Sequence, residues 1–268
     1  MIKLSIVPSA GLANRINCIM SAWELLKHYD ADINIYWENA TDCAADFDDL
    51  FTVIPPYGKD MVIHNKTPFH LKVPSKINLH IPSMIRKLLF DEQYTTLEFR
   101  NVDLQEKMAK DISIYIYGYN RFCEYQRYSR IADVLKPVQD IQQKIDDIVS
   151  QYNDYTVGVH VRRTDNALAI KNNPMEKYYA YMDKEIAEHP QCNFYLATDS
   201  LDVKTELKAR YHDRIITGEW DLRRNSRQGI KDAVADLYCL GSCNKIIGST
   251  NSTYSYLASI LYDKPLIQ

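Results

Sequence analysis

The sequence predicts an α/β protein made of two Rossmann-like domains facing each other across a cleft. Three observations predict it. From Thr156 to Ile267 the chain alternates short apolar runs with amphipathic helical stretches, the pattern of parallel strands joined by crossover helices. The first 37 residues open in the same way. Between these regions Val138, Ile141, Ile145, Ile148 and Val149 make a helical stripe after Pro137, which reads as a bridge. The boundary therefore falls at Pro137, giving domains of residues 1–136 and 137–268.

Each element follows from its local pattern. Ile2 to Val7 is an apolar strand, and the helix after it buries Ile16, Ile19, Met20, Trp23 and Leu26. Ile33 to Trp37 is the second strand. The pattern then degrades: residues 55–82 hold five of the ten prolines and three of the seven histidines. Residues 55–105 read as an irregular insertion, broken by a short helix at Ser83 to Phe90, and Ile112 to Tyr117 returns to strand. In the second half the strands are Thr156 to Val161, Asn193 to Ala197, Arg214 to Thr217, Lys245 to Gly248 and Pro265 to Ile267. The helices are Pro174 to His189, Leu201 to Tyr211, Arg227 to Leu240 and Ser252 to Tyr262. In such sheets the strand carboxyl ends bind ligands.

Composition excludes several classes. Hydrophobic residues make up 46% and charged residues 25%, ordinary for a globular protein. The net charge of −3 gives no basic field for nucleic acid. No secretory leader is expected, because Pro8, Gly11, Asn14 and Arg15 interrupt the first apolar run. No stretch approaches the roughly 20 apolar residues of a membrane span. The six cysteines, at 18, 43, 123, 192, 239 and 243, contain no CxxC pair and read as free thiols in a reducing cytoplasm. No metal site is expected.

The sharpest motif is Val157-Gly158-Val159-His160-Val161-Arg162-Arg163-Thr164-Asp165, a buried strand running into two adjacent arginines. Guanidinium groups make two-pronged bonds to phosphate, so a diphosphate is one natural partner. A structural pairing of Arg162 with Asp165 is the other reading. Asp199, Ser200 and Ser252 each precede a helix, where capping explains them as well as ligand contact does. Gly11 and Asn14 stand at a strand–helix turn.

His160 to Asp165 resembles the signature of the GDP-fucose-dependent fucosyltransferases: the α1,6, nodulation and protein O-fucosyltransferases. Gly11 to Arg15 resembles that family's amino-terminal Gly-x-x-Asn-Arg/Gln loop. Tyr195 to Ser200 resembles its Ala-Thr-Asp motif, and Asn225 to Gly229 running to Ser249–Ser252 resembles its third motif. The resemblance implies a fold of the glycosyltransferase B type, inversion at the anomeric carbon, GDP-fucose as donor and no required metal or cofactor. It implies a catalytic Arg162 gripping the β-phosphate, with Asp165 and Arg163 orienting the loop. It also implies donor contacts from His160, at the guanine or ribose, and from Asp199, Ser200, Ser226, Ser252, Gly11 and Asn14. The acceptor would be a glycan or glycolipid shaped by residues 55–105, including Tyr57, Phe69 and Tyr94, with peripheral membrane contact open.

The sequence departs from the family in two respects, the first being Asn166 where those enzymes place a lysine just after the signature. The family's acceptor base, a few residues past the signature, has no counterpart in Asn166 to Ile170. Glu38, Asp42 or Asp46 could replace it, or departure of GDP could run ahead of attack. The missing acid also leaves open a non-catalytic nucleotide-sugar or glycan binder, and a transferase using another GDP-sugar.

Overall fold

The alternating runs fold into two all-parallel sheets. The computed structural model describes residues 1–54, 61–66, 81–108, 110–123, 131–164 and 167–268. Tyr57, Phe69, Asp165 and Asn166 lie outside the described residues. Among the described residues the chain separates into two compact units. The first comprises Met1–Gln126, Val134–Val138 and Arg223–Lys231; the second comprises Arg127–Asp133, Gln139–Leu222 and Asp232–Gln268.

In the first unit, β1 (Ile2–Pro8), α1 (Leu12–His28), β2 (Ala31–Tyr36), β3 (Phe51–Val53) and β4 (Val62–His64) are followed by α2 (Ser83–Leu89), β5 (Glu92–Thr95), α3 (Thr96–Phe99), α4 (Leu104–Met108) and β6 (Ser113–Gly118). Its sheet has the order β4-β2-β1-β6-β5. After α5 (Ile131–Val134), β7 (Leu135–Pro137) pairs antiparallel with β3. The second unit runs α6 (Gln139–Val149), β8 (Thr156–Val161), α7 (Ala167–Asn172), α8 (Met175–Glu188), β9 (Asn193–Thr198), α9 (Leu201–Tyr211) and β10 (Ile215–Ile216). It ends with α10 (Arg227–Gly241), β11 (Lys245–Ile247), α11 (Thr253–Leu261) and β12 (Leu266–Ile267). Its order, β10-β9-β8-β11-β12, is the doubly wound arrangement, with the reversal of strand order between β8 and β11.

Burial explains why these segments became strands. Every residue of β8 is buried, so it packs helices on both faces, and Val157, Val159 and Val161 join Phe194, Leu196, Tyr178 and Met182 in one core. The helix α1 is buried almost all round, beyond the single stripe its sequence suggests. Even Arg15 is enclosed: Nε donates to the Ala10 carbonyl at 2.8 Å, Nη1 donates to the Glu38 carbonyl, and the guanidinium lies 5.2 Å from the Trp37 ring. The left-handed residue of this turn is Ala10, at φ 62°, while Gly11 is extended at φ −73°.

Residues 81–105 correct the expected irregular insertion. The segment contains α2, β5 and α3, and β5 extends the parallel sheet beside β6. Strands of three or four residues are too short to display a period, which hid β4 and β5 in the sequence. Among the described residues, no helix is long and apolar enough to cross a membrane. All six cysteines are free thiols, five of them buried.

Gly248, just past β11, permits a close approach that positions the second unit's ligand edge. A Cβ there would lie 2.8 Å from Ser255 Cβ on α11 and 2.8 Å from Leu266 Cδ1. Gly248→Ala is expected to lower the unfolding free energy by about 1–3 kcal/mol, the usual cost of overpacking. Chemical denaturation checks this, and an unchanged midpoint would contradict it.

Candidate functional site

The site begins where β8 releases its chain. Val161 is the last buried strand residue, and the turn that follows must hold two arginines. Asp199, at the end of the neighbouring strand β9, holds that turn. Its Oδ1 accepts the Arg163 backbone N–H at 2.7 Å. Its Oδ2 accepts the Thr164 hydroxyl at 2.7 Å and the Thr164 backbone N–H at 3.4 Å, and lies 3.3 Å from Arg162 Nε. A carboxylate has about four acceptor positions. One donor on Oδ1 and two on Oδ2 come from this turn, so Asp199 positions it and keeps one acceptor position on Oδ1. Among the described residues Asp199 is an ion-pair partner of Arg162.

Ser249 fastens the other side, across the reversal of strand order. Its hydroxyl accepts the Arg162 backbone N–H at 3.0 Å, donates to the His160 carbonyl at 3.0 Å and lies 2.7 Å from the Tyr178 hydroxyl. Arg163 donates to the Asn173 carbonyl at 2.8 Å and lies 5.9 Å from the Tyr178 ring. Fully buried Asn173 accepts both the backbone N–H and the hydroxyl of Thr250 at 3.0 Å. Loops after β8 and β11 are thus tied together, and the Arg162 side chain stays 18% exposed.

His160 lies near the end of fully buried β8. It is 4% exposed, its Nδ1 lies 2.6 Å from Ser255 Oγ, and its ring packs 5.0 Å from Tyr254. Burial, helped by the Arg162 charge, pushes its pKa from the ordinary 6.5 to about 3. A ring so enclosed braces the end of β8.

Ser200 caps α9, accepting from the Val203 N–H at 3.4 Å. Ser252 stands at the N-cap of α11, 8% exposed, with no capping bond from its side chain. Ser226 caps α10 through the Gly229 N–H at 3.1 Å and belongs to the first unit. There the Arg224 carbonyl accepts the Ala44 N–H at 3.1 Å and Arg227 pairs with Asp49. Gly11 and Asn14 belong to that unit too, at the carboxyl end of β1. Of the acids considered as bases, Glu38 is 3% exposed, and Asp46 caps the short turn Phe47–Asp49.

Sequence reasoning missed Asp236. It lies on α10, partly exposed, where Oδ1 accepts the Tyr195 hydroxyl at 2.6 Å and the Trp220 indole N–H at 3.0 Å. The Tyr254 hydroxyl lies 3.2 Å from Oδ2 but 2.8 Å from the Ala233 carbonyl. A hydroxyl has one proton, so the Tyr254 bond is shared between the two oxygens, and Oδ2 keeps a further acceptor position. Burial raises the Asp236 pKa to about 6 against the pull of its donors. The signal in the sequence was an acid on a helix otherwise lined by Ile230, Val234 and Leu237.

Among the described residues, Glu185, Glu188 and His189 could face one ion, but Glu185 already accepts from Lys245 at 2.9 Å and Tyr155 at 3.0 Å.

The His160 shift fixes a sign. Below pH 6.5 the unfolded chain binds a proton that the folded ring refuses, so folding weakens as pH falls from 6.5 toward 3. His160→Gln removes this dependence. The wild type should lose up to about 1.4 kcal/mol more per pH unit than the variant in that window. Unfolding titrations from pH 7 to 4 check it, and parallel curves would contradict it.

No family model matches the sequence, and neither does any curated protein. Solved structures do match. Fucosyltransferase NodZ from Bradyrhizobium aligns at TM-score 0.67 and 18% identity, covering 97% of this chain and 94% of that one. FUT1 from Arabidopsis thaliana, in complex with GDP, aligns at TM-score 0.61 and 15% identity, covering 98% of this chain and 69% of that one. POFUT1 in complex with GDP aligns at TM-score 0.56 and 10% identity, over 98% and 97%. Two parallel Rossmann-like sheets and these matches give the chain the fold of the GDP-fucose-dependent fucosyltransferases, the glycosyltransferase B type that its motifs imply.

Proposed function

We propose that the chain is an inverting glycosyltransferase that moves fucose from GDP-fucose to a glycan acceptor without a metal ion. One observation carries the reading. Arg162 is held by Asp199 and Ser249 at the point where the second sheet reverses its strand order, the place where such sheets bind nucleotides.

In the proposed reaction an acceptor hydroxyl attacks the anomeric carbon as the bond to the β-phosphate oxygen breaks. The electron pair leaves on GDP, where a fixed guanidinium stabilises the growing charge. Arg162 supplies that cation, and the open N–H groups at the start of α11, beside Ser252, face the same end of the sheet. The described part of the stretch after the signature, α7, contains no acid. We therefore place departure of GDP ahead of attack, which asks little of a base. Asp165 keeps its proposed loop role from the motif alone, as do Gly11, Asn14 and Ser226 their donor contacts.

Asp236 supports guanine as the base. Guanine offers two adjacent donors, N1–H and the N2 amino group, which suit a carboxylate. Adenine presents an acceptor in the N1 position. GDP is expected to stabilise the fold more than ADP or UDP, by about 2.7 kcal/mol at a hundredfold excess over its dissociation constant. Asp236→Asn should cut GDP affinity roughly tenfold, one lost charged hydrogen bond's worth. The preference should also fade below pH 6, where the carboxyl takes its proton. Equal thermal shifts from the three nucleotides would end the guanine reading.

Arg162→Ala is expected to reduce turnover by about 10²–10³-fold while the fold persists, because the interaction strengthens toward the transition state. Arg162→Lys should recover little, lacking the planar fork. Melting temperature and donor turnover of the purified variants separate the cases. A large fall in melting temperature, with turnover per folded molecule preserved, would assign Arg162 to structure instead.

A further inference from the structure

Strand register in the first unit lines up a row of side chains at the carboxyl end of its sheet. Tyr36 pairs with His64, Val7 with Tyr117 and Tyr117 with Thr95, while Val7 and Tyr36 each follow the paired Ile6 and Ile35. Residues in register share a face, as do alternate residues of one strand. Tyr36 and His64 stack, with ring centroids 4.9 Å apart and planes 17° from parallel. Tyr117 and Tyr115 continue the surface on β6, and Tyr36, His64 and Tyr117 are all partly exposed.

Over this row α2 lays Arg86. Its guanidinium carbon lies 5.2 Å from the ring of Tyr115 and 5.2 Å from that of Tyr117. Ile85 and Phe90 pack beside it around Val7, Ile81 and Tyr115, which fixes the helix against the sheet. Arg86 makes no ion pair with any described residue, and its buried Nε has no hydrogen-bond partner. A guanidinium over aromatic rings keeps its planar fork, which suits a two-pronged oxyanion. Nearby, Glu38 lies two residues beyond Tyr36, 3% exposed, and its charge reaches Tyr115.

We propose that this edge of the first unit is a subsite for an anionic sugar, with Arg86 gripping a carboxylate or phosphate substituent and Tyr36, His64 and Tyr117 carrying the ring. Its standing as the acceptor subsite rests on the transferase reading above; the binding of an acidic sugar does not. Amphipathic aromatic faces suit the apolar side of a pyranose, and polar groups at their rim set orientation. The Glu38 carboxylate opposes the bound anion, so Glu38→Gln should tighten it.

The test uses the full chain and four probes: glucuronate, glucose 6-phosphate, glucose and inorganic phosphate, titrated by calorimetry or NMR at constant ionic strength. Glucuronate or glucose 6-phosphate should bind about tenfold or more tightly than glucose, and whichever leads identifies the anion. R86M should bring the preference down to within about twofold, while its thermal shift with GDP, which reports an intact fold, is retained. Should R86M not fold, R86K keeps the charge without the fork and should lose most of the preference. The proposal is overturned if glucose binds as well as the acidic sugars, or if the arginine variants keep the preference. It is also overturned if inorganic phosphate matches glucose 6-phosphate. Acidic-sugar binding in a protein that ignores GDP would leave this subsite standing and remove the transferase reading.

Discussion

The carboxylate of Asp199 is the constraint on which the site depends. It gathers two backbone N–H groups, a hydroxyl and the Arg162 Nε from one turn of three residues. Without that acceptor, two neighbouring arginines at the end of a buried strand would repel each other and leave backbone donors unmet. With it, the positive charge beside the sheet's carboxyl edge is held in a fixed geometry, the condition under which a cation helps a departing diphosphate most. Ser249 does the same from the opposite side of the strand-order reversal, so the loops after β8 and β11 have one arrangement rather than many.

The buried side chains around this turn serve the same end. Neutral His160 between Ser255 and Tyr254 braces the strand whose carbonyl meets Ser249. Asn173 joins the start of α8 to the loop after β11, and Tyr178 lies against both Arg163 and Ser249. Arg162 and Asp236 both stay partly exposed among these buried neighbours.

Much of this was legible in the sequence. β8 and α9 fall on the residues expected: a run dominated by valine marks the strand, and Val203, Leu207 and Tyr211, each four residues apart, form the helix's buried stripe. The turn at Arg162 to Thr164 was visible because arginines rarely follow a buried strand without purpose. The pairing partner was not visible, because Asp199 lies 36 residues from Arg163 and only strand register brings them together. Asp236 and Arg86 were hidden for the same reason: each is ordinary on its own helix and gains meaning from tyrosines on distant strands. The short strands β4 and β5 escaped because their pairing, not their own pattern, makes them strands.

Phosphorus NMR of GDP-fucose incubated with the purified protein tests the central claim most directly. Even without an acceptor, a transferase leaks some donor to water, so the account predicts signals of free GDP growing with time and protein concentration. GDP-fucose that stays intact, with or without a panel of glycan acceptors, would contradict the account and leave a binding protein on a transferase fold.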